Sequence, residues 1–157
     1  MPSKTVPSKA VIEEFLAQPH IAFVGASRDP KQFGNVVYRH LRAGGRTLYP
    51  VHPEAAEIEG DTAFARVADV PDPVGGIVVM VKPDAAEQVV RDAIDRGVPR
   101  VWLHRGVGTG AVSERAVELC REAGVAVVDG ACPLMFAEPV GAFHKLHRMI
   151  GHRRIAA

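Results

Sequence analysis

Ile21-Ala-Phe-Val-Gly-Ala-Ser-Arg28 decides the fold. Four apolar residues run into a glycine, and the glycine leads to a hydroxyl and a cation. A short continuous apolar run, rather than an alternating one, marks a strand covered on both faces. Gly25 permits the tight turn that leaves it. Similar runs follow at residues 47–51, 76–81, 100–103 and 125–129, their starts roughly 25 residues apart. That is the spacing of a strand, a crossover helix and two loops.

The stretches between these runs read as helices. Over residues 83–97 one stripe carries Ala86, Val89, Val90, Ala93 and Ile94, the other side carries Glu87, Arg91, Asp92 and Asp95, and Gly97 is the stop. Residues 110–124 repeat the pattern with Val112, Ala116, Val117, Leu119 and Cys120, and Ser113 is the predicted N-cap. Residues 35–43 place Val36, Val37 and Leu41 ahead of Gly44-Gly45. Further helices are expected over 8–17 and 140–150. Only 53–73 is irregular, with one short helix near 62–68. The alternation predicts an α/β fold: a Rossmann-like, doubly wound, five-stranded parallel sheet in the order 3-2-1-4-5. One domain is expected over 1–157, its core spanning about 8–150.

Composition narrows the function. Among 157 residues, nineteen Lys and Arg balance eighteen Asp and Glu for a net charge of +1, which gives no electrostatic case for nucleic acid or an anionic membrane. Hydrophobic residues at 47% against 24% charged are too apolar for a disordered chain. Two cysteines, Cys120 and Cys132, exclude a disulfide scaffold. No apolar run approaches the ~20 residues that cross a bilayer, and the first residues lack the apolar core of a signal peptide. A cytoplasmic, soluble protein is expected, with no nucleic-acid or membrane partner.

A doubly wound sheet binds ligands beyond the carboxyl ends of its strands, where the strand order switches. For the order 3-2-1-4-5 that means the loops after strands 1 and 4, flanked by those after strands 2 and 3. The first loop, residues 25–34, combines Gly25, the Ser27 hydroxyl, Arg28 and Lys31 with the N-terminus of the next helix, a combination suited to a phosphate. The dinucleotide fingerprint G-x-G-x-x-G is missing, since Ser27 and Pro30 occupy its second and third glycine places. Strand 2 ends in Val51-His52-Pro53, with Glu54 only afterwards, so the acidic residue that holds a ribose in NAD sites is missing too. The P-loop pattern is also missing. These absences argue against NAD and against an ATPase.

The ordered set of motifs IAFVGASRD (21–29), NVVYRHL (35–41), YPVHP (49–53), VMVKP (79–83), VWLHRG (101–106) and Cys132-Pro133 resembles the small stand-alone CoA-binding proteins. These are similar to the N-terminal CoA-binding domain of the succinyl-CoA synthetase α subunit. The resemblance implies coenzyme A as ligand. It implies a pyrophosphate at Gly25, Ala26, Ser27 and Arg28 and the helix start Phe33-Gly34-Asn35, with Lys31 beside it. It also implies adenosine over Val51-His52-Pro53 and Val81-Lys82-Pro83, and a further contact from His104 and Gly106. The 3′-phosphate of CoA suits a cation or neutral donor, and Arg28, Lys31, His52 and Lys82 each qualify. His52 stands where the family more often has Asn, and His104-Arg105 where an amide and a neutral residue are commoner.

His104 otherwise reads as a partly exposed loop histidine bonded to the backbone, Cys132 as a buried turn and Cys120 as core. His144 and His147 share a helix face without completing a metal-ligand set, so neither a metal site nor a catalytic residue is assigned. The expectation is a protein that binds CoA or an acyl-CoA without catalysis of its own, with a homodimer or a protein partner open. The phosphorylated-histidine domain of the synthetases is not expected in a chain of this length. The alternatives are a subunit of an acyl-CoA synthetase-type enzyme and an NAD(H)-binding redox sensor.

Overall fold

The computed structural model describes residues 8–105 and 110–137. In chain order its elements are α1 (Lys9–Leu16), β1 (His20–Val24), α2 (Phe33–Ala43), β2 (Thr47–Val51), β3 (Glu57–Ile58), β4 (Asp61–Thr62), β5 (Gly76–Val79), α3 (Pro83–Arg96), β6 (Arg100–His104), α4 (Glu114–Glu122) and β7 (Ala126–Ala131). The five apolar runs pair in parallel as β2-β1-β5-β6-β7.

Strand alternation divides the core between the two faces of this sheet. Ile21, Phe23, Val78, Trp102 and Val128 point to one face and pack with Ile12 and Phe15 of α1 and Val37, Tyr38 and Leu41 of α2. Ala22, Ile77, Val79, Val101 and Leu103 point to the other, against Ala86, Val90 and Ala93 of α3 and Ala116, Val117 and Cys120 of α4. Helices on both faces explain why the strands are continuously apolar.

The α/β, Rossmann-like class is as expected, but the strand order is not. Counting the long strands alone, it is 2-1-3-4-5 rather than 3-2-1-4-5. The third long strand would lie outside the second only if residues 53–73 crossed behind β2. Instead that stretch folds back onto β2. The antiparallel β3–β4 hairpin forms first. Phe64 then bridges to Val51 along the outer edge, its N–H donating to the Pro50 carbonyl and its carbonyl accepting from His52 N–H, both at 2.9 Å. With that edge occupied, the chain returns through the centre and β5 pairs with β1.

Local signals behave as their chemistry dictates. Pro83 opens α3 and Gly97 closes it. Ser113 Oγ caps α4 by accepting from Ala116 N–H at 3.1 Å and donates to Glu87 Oε1 of α3 at 2.7 Å. The short helix expected near 62–68 is a single 3-10 turn at Val67–Asp69, because Thr62 is paired in β4. The helix expected over 140–150 lies outside the described residues. No helix among the described residues is long and apolar enough to cross a membrane.

Candidate functional site

The corrected strand order moves the switch to the gap between β1 and β5, so the loop after β5 becomes central to the crevice rather than a flank. Gly25 leaves β1 at φ +125°, and a Cβ built there would lie 2.7 Å from the Met80 Cβ and 2.8 Å from its carbonyl carbon. Only glycine fits between the two diverging strand ends. Gly34 on α2 is equally tight, since a Cβ there would overlap the Gly25 carbonyl oxygen. The first turn of α2 therefore sits directly against the loop.

Asn35 holds that loop in shape. It is 1% exposed; its Nδ2 donates to the Ser27 carbonyl at 2.7 Å and to Glu59 Oε1 at 3.0 Å, and its Oδ1 accepts Ser27 N–H at 2.8 Å. Ser27 Oγ accepts Asp29 N–H at 2.9 Å, leaving the hydroxyl proton to give. Asp29 in turn accepts Lys31 N–H and Gln32 Nε2. Gln32 provides no side-chain cap to α2, so the amides of Phe33 and Gly34 belong to the first turn that a helix leaves without internal acceptors. With the helix dipole they make an electropositive seat for an anion.

The remaining sequence-predicted residues that the structure describes lie in the loop after β1 and at the ends of β2, β5 and β6 or just beyond them. Arg28 pairs across the crevice with Glu54 at 3.3 Å, both side chains exposed. Lys31 and Lys82 are exposed, and Lys82 is the N-cap of α3 with Pro83 next to it. Ala26 and Val51 turn their side chains into the core, which leaves only their main chains for a ligand. His52 Nδ1 accepts from Glu54 N–H at 3.1 Å and Ala55 N–H at 2.9 Å, so the ring offers a single Nε2–H donor. Pro53 is exposed beside it.

A cavity of about 560 Å³ is lined by Met80, Val81, Lys82, Ala85, His104, Gly110 and Ala111. His104 is not the partly exposed, backbone-bonded histidine that was expected. It is 8% exposed and its Nε2 has no hydrogen-bond partner among the described residues. The bulge between Leu103 and His104 and the return of Ala111 N–H onto the His104 carbonyl at 2.8 Å fix its main chain. Burial pushes the imidazole down to about 4, so the ring is neutral at ordinary pH. Phe33, half exposed on α2, lies 5.7 Å from it, ring centre to ring centre. Gly106, His144 and His147 lie outside the described residues. Burial pushes the Cys132 thiol up to about 11 and Cys120 up to about 12, so neither is a ready thiolate.

The sequence reading missed Glu59, Arg39 and Ala85, and the pairing of Glu54 with Arg28. Gly60 carries the one recognisable signal, a glycine that marks a turn.

The model of the CoA binding domain family matches residues 19–138. This chain belongs to that family. Among curated CoA-related proteins it is similar to the α subunit of ADP-forming acetate–CoA ligase II of Pyrococcus furiosus, at 28% identity over 130 residues, covering 78% of this chain and 28% of that one. It is also similar to ADP-forming acetate–CoA ligase I of Archaeoglobus fulgidus, at 26% identity over 118 residues, 71% of this chain and 17% of that one. The chain thus spans less than a third of these relatives. A conserved hypothetical protein from Pyrococcus furiosus superposes with a TM-score of 0.65 at 34% identity, covering 72% of this chain and 94% of that one. A dinucleotide-forming acetyl-coenzyme A synthetase from Ca. Korarchaeum cryptofilum, in complex with phosphate and ADP, superposes with a TM-score of 0.66 at 30% identity, covering 76% of this chain and 27% of that one. Membership of the CoA binding domain family agrees with the resemblance carried by the six motifs.

Proposed function

We propose that this chain binds coenzyme A or an acyl-CoA across the carboxyl ends of β2, β1, β5 and β6, with no catalysis of its own. The seat formed by residues 25–28 and the first turn of α2 takes the diphosphate. Arg28, Lys31 and the His52 Nε2–H serve the 3′-phosphate side, and the cavity beside His104 takes a less polar part of the ligand. The observation that carries this reading is the Asn35-braced loop with Gly25 wedged against Met80, in a chain of the CoA binding domain family.

Calorimetric titration with CoA, 3′-dephospho-CoA and NADH tests it. Saturable CoA binding that weakens without the 3′-phosphate supports the reading. Binding of NADH alone would replace it with a nucleotide-dependent redox sensor. A second reading, a subunit of an acyl-CoA synthetase-type enzyme, draws on the similarity to a ligase α subunit. It predicts thioester formation when a complementary nucleotide-binding subunit is added, whereas the binding-module reading predicts none.

A further inference from the structure

The β3–β4 hairpin turns through Glu59 and Gly60, with Ile58 paired to Asp61 on either side. Glu59 has φ +52° and Gly60 φ +82°, the two positive values of a type I′ turn. Asn, Asp or Gly is the ordinary choice at the first of these positions, and a glutamate there is disfavoured. Glu59 is the sole non-glycine residue with positive φ among the described residues. Turn chemistry therefore does not account for its side chain, and strain of this kind points to a role elsewhere.

The side chain's partners supply that role. Glu59 is 11% exposed at its side chain, and its Oε1 accepts Arg39 Nη1 at 2.6 Å and Asn35 Nδ2 at 3.0 Å. The same Arg39 nitrogen donates to the Pro30 carbonyl at 3.0 Å, while Asn35 makes both of its remaining bonds to Ser27. One carboxylate thus sets two side chains that grip the two shoulders of the phosphate loop. The hairpin itself is fastened to α2, with Arg42 donating to the Glu59 carbonyl at 2.8 Å and to Asp61 at 2.8 Å, and Tyr38 donating to Asp61 at 2.5 Å. Asn35, Tyr38, Arg39 and Arg42 share one face of that helix by their spacing.

We propose that Glu59 is a positioning residue for the ligand: from its strained turn it sets Asn35 and Arg39, and through them preorganises residues 27–30 for the diphosphate. This rests on the CoA-binding reading above. Preorganisation counts because a loop already in its bound shape loses less entropy on binding.

The test compares Glu59→Asn and Glu59→Gln with the unaltered protein, measuring CoA affinity by calorimetry and exchange of the Ser27 amide by NMR. Asn suits the turn but falls short of Asn35 and Arg39. Gln keeps both the reach and the acceptor oxygen. The expected result is CoA affinity about tenfold weaker and Ser27 exchange about tenfold faster in Glu59→Asn, with most of both restored in Glu59→Gln. A merely structural role would not give that recovery at one loop amide. Ser27 protection unchanged in Glu59→Asn would overturn the proposal, whether or not affinity fell; so would unchanged affinity. If the unaltered protein failed to bind CoA, the CoA reading would fall, and Ser27 exchange would still decide whether Glu59 sets the loop.

Discussion

The Asn35 side-chain amide pairs with Ser27 as a neighbouring backbone strand would, giving one hydrogen bond to its carbonyl and taking one from its N–H. A buried side chain thereby substitutes for a ladder at the point where β1 has ended and no strand is available. Replacing its donor with an acceptor should be worse than deleting the group. In Asn35→Asp a carboxylate oxygen would face the Ser27 carbonyl and the Glu59 carboxylate, at an expected cost of about 3 kcal/mol. Asn35→Ala should cost about 1–2 kcal/mol. Urea denaturation of the two variants side by side checks the ordering.

Arg28 and Glu54 form an exposed ion pair, so breaking it should leave stability within about 0.5 kcal/mol. Their effects on the ligand should be opposite. Arg28→Ala removes a cation from the seat and should weaken CoA binding about tenfold, whereas Glu54→Gln frees Arg28 from its competitor and should strengthen it. Titration of both variants decides the matter, and equal affinities would remove Arg28 from the phosphate site.

Gly25→Ala tests the wedge between β1 and β5. Its methyl would meet the Met80 main chain in a backbone conformation that L-residues rarely adopt, so a loss of about 2–4 kcal/mol is expected. Gly45 has positive φ too, yet a Cβ there would meet nothing within 4 Å. Gly45→Ala should therefore be the milder change in a paired melting experiment.

His104 gives a pH dependence with a definite sign. Burial holds its folded pKa at about 4, below the ordinary 6.5, so between those values the unfolded chain binds the proton more readily. The stability associated with the neutral ring is complete above about pH 6.5 and is lost as pH falls towards about 4, by up to about 3 kcal/mol. Denaturant midpoints of the unaltered protein and His104→Gln, measured from about pH 7 downward, should diverge through that window. Parallel curves would mean that the imidazole is not buried.

The five long strands were legible because each carries a short apolar run, most completely in the central strands β1, β5 and β6, which are covered on both faces. The Ser113 cap and the Gly97 stop were legible for the same local reason. Strand order was not, because it depended on residues 53–73, where β3 and β4 are two residues each and too short for any period to show. The loop proposed here to seat a phosphate was singled out by Gly25, Ser27 and Arg28 and their place after β1. The residues that shape it were not: Glu59 meets Asn35 across 24 positions, and Arg39 across 20. His104 was misjudged because it ends β6 instead of lying in the loop, and its exposure depends on the Phe33 ring and the Gly110 turn beside it.

The single bridge that Phe64 makes along β2 has a consequence for association. An edge strand offers its backbone to any passing chain as a template for sheet growth. On this edge the Pro50 carbonyl and the His52 N–H are already taken by Phe64, and Pro50 has no N–H to offer. A second molecule adding itself to β2 would first have to strip away that cover, so this side of the sheet is guarded against intermolecular strand addition.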